Sequence, residues 1–519
     1  MSTSLDFILP TGLGVDELLA RVQQQFRHRA EPPRMLQRTW YDSFDWRLYA
    51  NNSTLEDIRD GNEHTLVWRT LKGNQGDTRL KLKKAPRFAW DLPPGHFRER
   101  LEPVLEMREL APKLKIRSRV NTLRILNKDE KTVAWLVIEE NTLPRQKGLR
   151  AGKLDNRVSV IQVRGFPKPA MEVAKLLQQA GLSEAQGDLL QTALSMFGEA
   201  PGSYSSKLNL ELDPDMRADE ASKLILHRLL DIMMQNEAGT RVGTDTEFLH
   251  DFRVAIRRTR SALSQIKAVF PKQIVDRYKT EFAWLGRITT PSRDLDVYLL
   301  IFDEYRDSLP TSMQADIEPL RDFLIRHQKL ENRALVKAMD SARYRRIITS
   351  WRNFLEQPVN ERSTLKNAGR PVLEVACARI WRMYRVALKE GNAINVESPA
   401  EALHELRKTC KKLRYLMEFF QSLYPSSDIK ELIRILKTLQ DNLGDFQDYE
   451  VQVITLKKFS HQMVAEGQVP PDTLLAMGIL IDGLERRQHQ AREEFSGRYA
   501  EFSQPHNQER FRKLFATSH

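Results

Sequence analysis

Apolar positions follow two different periods in the two halves of this 519-residue chain. Up to about residue 165, apolar and polar residues alternate, which predicts strands. From about residue 218 onward, apolar residues recur every three or four positions, which predicts helices. Residues 198–206, between the two regions, gather Gly, Pro and Ser and indicate a connecting segment. The pattern predicts an α+β multidomain protein with a β-rich domain over residues 1–200, a linker over 201–217 and an all-α domain over 218–519.

Two predicted strands of the first domain carry a cation at every second position. They span residues 78–84 and 113–120, and their cations are Arg79, Lys81, Lys83, Lys115, Arg117 and Arg119. Further strands are predicted at 36–41, 64–71, 133–139 and 157–164, followed by helices at 168–180 and 183–198. The first domain is therefore predicted to be a sheet with a basic face and terminal helices.

The helical half contains an internal repeat. Residues 403–425 repeat the pattern of residues 249–271 with a shift of 154, which predicts two helical units over about 218–345 and 372–500. The start of the repeated helix also recurs. Thr244 with Glu247, and Ser398 with Glu401, have the spacing of a capping box, and Pro399 is predicted at the first helical position of the second copy.

The repeated helix has one cationic face and one apolar face. At 100° per residue, His250, Arg253, Arg257 and Arg260 fall on one side in the first copy, and His404, Arg407, Lys411 and Arg414 fall there in the second. We call these two sets the cationic stripes. The opposite side carries the predicted core residues, which are Phe252, Ile256, Thr259, Leu263, Ile266 and Phe270 in the first copy and Leu406, Cys410, Leu413, Met417 and Phe420 in the second.

The repetition of the stripe points to a polyanion. A single charged face is most often a solvated surface, but like charges three or four residues apart destabilise a helix by roughly 0.2–0.5 kcal/mol per pair. No acidic residue on the stripe is expected to compensate them. Guanidinium groups match phosphate oxygens well, because each donates two parallel charge-assisted hydrogen bonds. A phosphate-rich ligand therefore explains why this pattern occurs twice.

Composition agrees with an anionic partner and narrows the class of protein. The chain has 81 Lys and Arg against 69 Asp and Glu, and the excess is spread over both halves. Cys377 and Cys410 lie in helical patterns without a second Cys or a His at ligand spacing, so neither a disulfide nor a zinc site is expected. The sequence shows no signal peptide and no membrane-spanning run, so we expect a cytoplasmic protein without a membrane partner.

The repeated segments "LHDFRVAIRRTR" and "LHELRKTCKKLR", with "RDLDV" and "LQDNLGDFQD" downstream, resemble the CHAD domain, the conserved-histidine α-helical domain, over about residues 218–500. The resemblance implies two four-helix bundles related by a pseudo-twofold axis, with a basic groove that binds inorganic polyphosphate and directs the protein to polyphosphate granules. It implies a groove formed by both cationic stripes together with Lys279 and Lys437. These two lysines lie seven residues before Gly286 and Gly444, with four extra residues in the first copy after that point. Asp294 and Asp448 are expected to hold arginines or cap helices, and no catalytic or metal-binding residue is expected.

The first half resembles a degenerate CYTH, or triphosphate tunnel, domain through "TWYDSFDWRLYANNSTLEDIRD" and through its alternating basic strands, which the resemblance implies face a tunnel. The segment "LDFILP" stands where that family has an E-x-E-x-K signature. Val160, Gln162 and Arg164 stand where acidic ligands are expected, which leaves Glu139 and Glu140. A secondary anion site could include Arg69, Lys81 and Lys83.

Three functions remain open on these grounds. The first is non-enzymatic binding of inorganic polyphosphate, which needs no cofactor. The second is a metal-dependent inorganic triphosphatase or polyphosphatase of the tunnel type, which would need a divalent cation. The third is RNA binding, which ranks lower because sequence-tolerant nucleic-acid grooves usually add aromatic platforms and Tyr415 is the aromatic residue on the stripes. Nothing in the sequence sets an oligomeric state.

Overall fold

The computed structural model describes residues 4–71, 78–145, 151–185, 189–195, 201–202, 204–467 and 469–516. The chain divides into two compact units, Met1–Ser205 and Ser206–His519. The first contains an antiparallel sheet with helices, and the second is helical. The prediction of a β-rich first domain followed by an all-α second domain is confirmed.

The first unit is built on one sheet. Its described strands are β1 Ser4–Ile8, β2 His28–Ala30, β3 Arg34–Asp42, β4 Ser53–Asp60, β5 Glu63–Thr70, β6 Thr78–Leu82, β7 Ala111–Leu126, β8 Thr132–Leu143, β9 Gly152–Lys153, β10 Arg157–Gln162 and β11 Ser183–Glu184. The strand order is β11-β1-β10-β8-β7-β3-β4-β5-β6, with β2 paired to β7 and β9 to β8. The pairing is antiparallel throughout the described strands, so each strand presents alternate residues to the two faces.

Helices cover both faces of this sheet. They are α1 Val15–Gln25, α2 Arg47–Ala50, α3 His96–Leu105, α4 Pro167–Gln179 and α5 Leu189–Ser195. Helices α1 and α4 pack on β1, β7, β8 and β10, and α3 packs on β4 and β5. Helix α5 packs on the other face, against Trp40, Leu114 and Ile116. Because the sheet has cores on both faces, its polar interior residues are restricted to the uncovered part of one face.

The alternating pattern predicted most strands of the first unit, but some of its strands and helices were not predicted correctly. Strand β4 was not predicted, because Glu56 and Asp57 are buried among apolar neighbours and break the alternation. The helix predicted at 183–198 is wrong at its start, where Ser183–Glu184 is a strand, and α5 covers only Leu189–Ser195. Residues 186–188 and 196–198 lie outside the described residues. Local periodicity cannot separate such short elements, since their pairing partners are distant in sequence.

The second unit consists of helices. They are α6 Ala218–Val242, α7 Thr246–Gln265, α8 Lys272–Leu300, α9 Phe302–Asp307, α10 Glu318–Met339, α11 Ala342–Glu356, α12 Val372–Asn392, α13 Ala400–Phe419, α14 Ser426–Ala465, α15 Pro471–Phe502 and α16 Pro505–Phe515. One core joins α6, α7 and the first part of α8 to α12, α13 and α14. A second core lies among the later turns of α8, α9, α10, the second half of α14 and the first half of α15. No helix within the described ranges is both long enough and apolar enough to cross a bilayer.

The repeat is visible in where the helices begin. Helices α12, α13 and α14 each start 154 residues after α6, α7 and α8 respectively. The two copies also meet through equivalent residues: the amide of Ala218 donates to the carbonyl of Arg370 (2.9 Å), and the amide of Val372 donates to the carbonyl of Met216 (2.8 Å). Ala218 corresponds to Val372 and Met216 to Arg370 under the 154-residue shift, so exchanging the two copies turns the first bond into the second. Such a reciprocal contact is what a local twofold axis produces.

The segment before α6 belongs to the helical unit. Leu208 and Leu212 are buried in its core, and the amide of Leu212 donates to Oγ of Ser422 (3.2 Å). The linker predicted over 201–217 therefore packs, from Ser206 onward, as part of the second unit.

Candidate functional site

Helices α7 and α13 bury the faces that the sequence pattern predicted. All eleven predicted core residues of the two helices are buried. The two helices pack against each other within the joint core, and they are equivalent under the repeat. Because the core takes the apolar side of each helix, both cationic stripes lie on the side away from it.

The helix starts differ from the predicted capping boxes. Asp245, not Thr244, is the N-cap of α7, and its side chain accepts from the amide of Glu247 (2.8 Å). In the second copy Pro399 is the N-cap and makes no side-chain cap bond, while Oγ of Ser398 accepts from the amide of Asn395 (2.9 Å). An acidic side chain one residue later than predicted therefore fixes the first turn of α7.

Arg253 is fixed against α8 by neutral oxygens. Its Nη1 donates to the carbonyl of Gly286 (3.2 Å) and to Oγ1 of Thr289 (2.8 Å) and Thr290 (2.9 Å). Burial lowers the pKa of Arg253 to about 10, while the nearby carboxylate of Asp294 acts in the opposite direction. Arg253 is thus held as a half-buried cation in a fixed position.

Arg407, its equivalent, is held instead by a carboxylate. Its Nη2 donates to Oδ1 of Asp448 (2.9 Å), an exposed side chain on α14. The expectation that Asp448 holds a neighbouring arginine is confirmed. Asp294, its equivalent, acts on Arg253 only through its charge. Burial raises the pKa of Asp294, which is only partly offset by Arg253 and Arg293.

Arg257 and Lys411 bring the two stripes together. They are equivalent under the repeat, and Arg257 is close enough to Lys411 to act on its charge. Burial, together with the charges of Arg407 and Arg257, lowers the pKa of Lys411 to about 8. Arg257 itself is exposed. The contact region of α7 and α13 therefore concentrates positive charge from both copies beside a partly buried amine.

Arg260 and Arg414 extend the stripes but differ in their surroundings. Arg260 is exposed and lies over α8, with Nη1 3.6 Å from where a β-carbon on Gly286 would stand. Arg414 has Nε 3.5 Å from Glu418, and Glu418 also accepts from Nη2 of Arg258 (2.8 Å). The expectation that nothing acidic compensates the stripe is therefore wrong for Arg414 and Arg407. Glu418 follows Arg414 by four residues on α13 itself, whereas Asp448 reaches Arg407 from α14.

The two histidines contact equivalent positions of the neighbouring helix. Nδ1 of His250 lies 3.1 Å from Nη2 of Arg293, and Nδ1 of His404 pairs with Oε1 of Gln447. Arg293 can only donate, so Nδ1 of His250 accepts in this contact, whereas the amide oxygen of Gln447 accepts from His404. Arg293 was not among the predicted site residues. Its equivalence to Gln447 under the 154-residue shift was the signal that could have found it.

The same register corrects the position of Lys279 and Lys437. Both histidine contacts span 43 residues, and α8 and α14 are continuous helices, so the first copy contains no four-residue insertion. Matching Gly286 to Gly444 was therefore wrong. Lys279 corresponds to Ile433, and Lys437 lies about one helical turn, some 6 Å, away from the equivalent place.

Tyr415 does not offer a stacking platform. It is 8% exposed, its ring packs against Phe419, and the guanidinium of Arg414 lies 5.8 Å from its centroid. An aromatic residue that is packed in this way cannot open a face to a base, which weakens the reason for considering RNA.

In the first unit, the polar interior face of the sheet is paired internally. Arg38 donates to Glu56 and, through Nη1, to Oε2 of Glu139 (2.7 Å), and Arg69 donates to Glu56. Glu56 is fully buried, and although burial itself would raise its pKa, the two arginines hold that pKa at about 2. These four side chains form a closed network in which each carboxylate already has a guanidinium partner.

Two of the three cations of the predicted secondary anion site have acidic partners. Arg69 binds Glu56, Lys81 lies 3.1 Å from Glu63, and Lys83 is exposed beyond the end of β6. Arg79 and Lys81 share the face of Glu56, as expected for interior positions.

The other basic strand faces the opposite way. Arg38 pairs in register with Ile116, so the adjacent cations of β7, which are Lys115, Arg117 and Arg119, are exposed on the other face. Glu140 also lies on that side, 3.8 Å from Arg119. The expectation that these cations face a tunnel is wrong. Among the described residues, no group of three or more His, Cys, Asp or Glu is arranged to hold a metal ion.

The second unit is thus a duplicated helical domain with a cationic stripe in each copy. Residues 224–457 match the CHAD domain family, so this unit carries a CHAD domain.

Curated relatives cover the chain in part. Uncharacterized proteins from two strains of Mycobacterium tuberculosis are each 25% identical over 301 residues, which is 55% of this chain and 56% of the relative. The match therefore spans about half the length of these relatives.

Among solved structures, the chain is similar to the CHAD domain from the plant Ricinus communis, with 23% sequence identity and a TM-score of 0.48. That match covers 58% of this chain and 96% of the other. Another is a Hippeastrum protein described as an adenylyl cyclase candidate with a dominant triphosphatase activity, at 11% identity and a TM-score of 0.27, covering 40% of this chain and all of the other.

Proposed function

We propose that the CHAD domain of this protein binds inorganic polyphosphate along the cationic stripes of α7 and α13. The observation that carries the proposal is that Arg257 and Lys411, equivalent cations on two helices that pack together, lie close enough for Arg257 and Arg407 to act on the charge of the partly buried Lys411. Placing like charges together in a partly desolvated region is unfavourable for the free protein. A polyanion bound there would attract both cations, and this attraction would offset their mutual repulsion.

A ligand made of phosphates alone fits this surface better than a nucleic acid. Arginine suits phosphate oxygens through its paired donors. The buried ring of Tyr415 offers no face on which a base could stack. Polyphosphate presents a continuous row of anionic oxygens and needs no stacking partner. The cationic hydrogen-bond donors of the stripes are therefore the groups that it requires. Binding of this kind requires no cofactor, and it would bring the protein to polyphosphate granules in the cytoplasm.

The salt dependence of binding tests the proposal. Polyphosphate is titrated into the full chain at several salt concentrations, and the slope of log affinity against log salt is compared with that of an Arg257→Gln, Lys411→Gln variant. Using about 0.7 per phosphate contact for single-stranded polyanions, the loss of two contacts should make the slope shallower by about 1.4.

The matched control removes two cations elsewhere in the same unit. Arg346→Gln with Arg352→Gln changes two exposed arginines of α11. We expect the control to keep the slope of the unsubstituted chain. An unchanged slope in the stripe variant, or an equal change in the control, contradicts the proposal. In competition, polyphosphate should displace bound RNA at equal phosphate concentration, and the reverse result would favour RNA as the ligand.

A further inference from the structure

The α7–α8 hairpin carries a ladder of residues spaced by seven. On α7 and the turn after it these are Arg253, Arg260 and Lys267, and on α8 they are Arg293, Gly286 and Lys279, in antiparallel order. Seven residues make two helical turns to within about 20°, so Arg253 and Arg260 lie along one side of α7 and the other three along one side of α8. Lys267 follows two residues after the end of α7. Two contacts join the helices: Arg293 lies against His250, and Gly286 lies against Arg253 and Arg260. Beyond them, Lys279 is near enough to Lys267 to act on its charge.

The last level of this ladder gains two more cations from the other copy. Arg379 and Arg382, on α12, both act on the charge of Lys267. We call Lys267, Lys279, Arg379 and Arg382 the end cluster. Its member on α8, Lys279, lies about 10 Å along that helix from Gly286, against which Arg260 lies, since seven helical residues rise about 1.5 Å each. Asp276 is the acid that acts on Lys267, so the described surroundings of that lysine remain strongly positive.

The backbone holds the end cluster in place. Nε of Arg379 donates to the carbonyl of Gln265 (2.6 Å), one of the last carbonyls of α7. Nδ2 of Asn367 donates to the carbonyl of Lys267 (2.8 Å), and the amide of Asn367 donates to the carbonyl of Ala268 (3.1 Å). Burial lowers the pKa of both Arg379 and Lys267. Arg379 is therefore anchored and partly desolvated, while the backbone that carries Lys267 is fixed and its side chain is exposed.

The second copy lacks this cluster. The 154-residue shift places Gln421 where the first copy has Lys267 and Ile433 where it has Lys279, and the reverse shift places Ile225 and Arg228 where α12 has Arg379 and Arg382. Four cations at this end, two from each copy, thus correspond to one cation, Arg228, at the pseudo-symmetric place. The two stripes are approximately symmetric, but the end cluster extends the cationic surface at one end only.

We propose that the end cluster is a second anion-binding site that engages the continuing segment of a polyphosphate chain already held on the stripes, and so makes affinity depend on chain length. This inference rests on the proposed function. A short phosphate ligand fills the stripes alone, whereas a long chain leaves the stripes at one end and meets a further row of cations. Because the end cluster lies at one end only, a long polyphosphate should extend from the stripes in that direction.

The test compares two probes on the full chain. Tripolyphosphate and long-chain inorganic polyphosphate are titrated into the unsubstituted protein, into a Lys267→Gln, Arg382→Gln variant, and into a control with Arg333→Gln and Lys458→Gln. Both test residues and both control residues are exposed, and Arg379, which bonds the backbone, is kept. Thermal unfolding of each variant checks that the fold is retained.

We expect the variant to bind tripolyphosphate as the unsubstituted chain does and to bind long chains more weakly, with a salt slope shallower by about 1.4 for two lost contacts. The control should change neither. Long-chain binding equal to that of the control, or an equal loss for both probes, overturns the end cluster while leaving the proposed function intact. If the unsubstituted chain bound neither probe, the proposed function would fail and the end cluster with it.

Discussion

Lys411 is the position at which a single residue changes the chemistry of the pseudo-symmetric site. Its equivalent is Arg257, and an arginine keeps its charge at physiological pH in nearly any environment. Burial lowers the pKa of the Lys411 amine to about 8, and its cationic neighbours act in the same direction. The second copy therefore contributes a charge that depends on pH, while the first contributes a permanent one.

We predict that polyphosphate affinity falls as pH rises from 7 to 9. A bound polyanion favours the protonated amine, so binding is strongest below the pKa of free Lys411 and weakens as pH rises through about 8. The protonated fraction falls by about tenfold over this range, which limits the loss of affinity to about tenfold. Titrations at constant ionic strength measure it, and Lys411→Arg should remove most of the dependence. Parallel pH profiles for the two proteins would assign the effect to another group.

At the level of the helix, the copies share their register but not their caps or partners. Helices α7 and α13 begin 154 residues apart, yet α7 has an Asp245 cap and α13 has a proline without a side-chain cap bond. Arg253 is held by threonines, and Arg407 by a carboxylate. The duplicated scaffold thus tolerates different local solutions as long as the buried face is kept.

We predict that Asp245→Ala destabilises the helical unit by about 1 kcal/mol, because the substitution removes the acceptor for the amide of Glu247 at a buried helix start. Urea unfolding gives the free energy. The matched control is Ser398→Ala, at the position that the sequence predicted as a cap but whose side chain pairs with Asn395 outside α13. Its effect should stay within about 0.5 kcal/mol. An equal loss of unfolding free energy in the two variants would contradict the assignment of Asp245 as the stabilising cap.

On the scale of the whole molecule, each unit has its own cores. The core that carries the stripes contains residues from Leu208 to Phe515, and those of the first unit contain residues from Phe7 to Leu194. The stripes and the end cluster all lie in the second unit. Folding and ligand binding should therefore separate along the same boundary.

We predict that residues 206–519 fold alone and keep the polyphosphate affinity of the full chain within about threefold, which corresponds to roughly 0.7 kcal/mol. Circular dichroism checks the fold, and titration with polyphosphate measures the affinity. The full chain serves as the reference. Loss of binding in a folded fragment would assign the polymer to the first unit.

We also predict no substantial metal-dependent hydrolysis of tripolyphosphate by the full chain. Glu56 and Glu139 are each held by arginine, so binding a divalent cation would require breaking the Arg38–Glu56–Arg69 network. Phosphate release with Mg²⁺ or Mn²⁺ measures the activity. Turnover on the order of 1–10³ s⁻¹ that Glu139→Gln abolishes would establish the enzyme alternative instead.

The sequence by itself determined the features that depend on local periodicity. The 3.6-residue period identified the buried faces of α7 and α13, because a helix repeats its environment every turn whatever packs against it. The 154-residue repeat identified both stripes and the equivalence of the copies. Alternation identified most strands of the first unit for the same reason.

Only the tertiary structure decided which cations have partners. Glu418 lies on α13 itself but reaches Arg258 on α7, and Arg293, Asp448 and Arg379 reach the site from other helices. In the first unit the register of β3 with β7 decided that Lys115 and Arg117 lie on the face opposite Arg38 and Glu56. A helical wheel or an alternating pattern gives the angle of a side chain on its own element. The field that the side chain experiences depends on what packs beside it, and that is set by contacts between residues far apart in the chain.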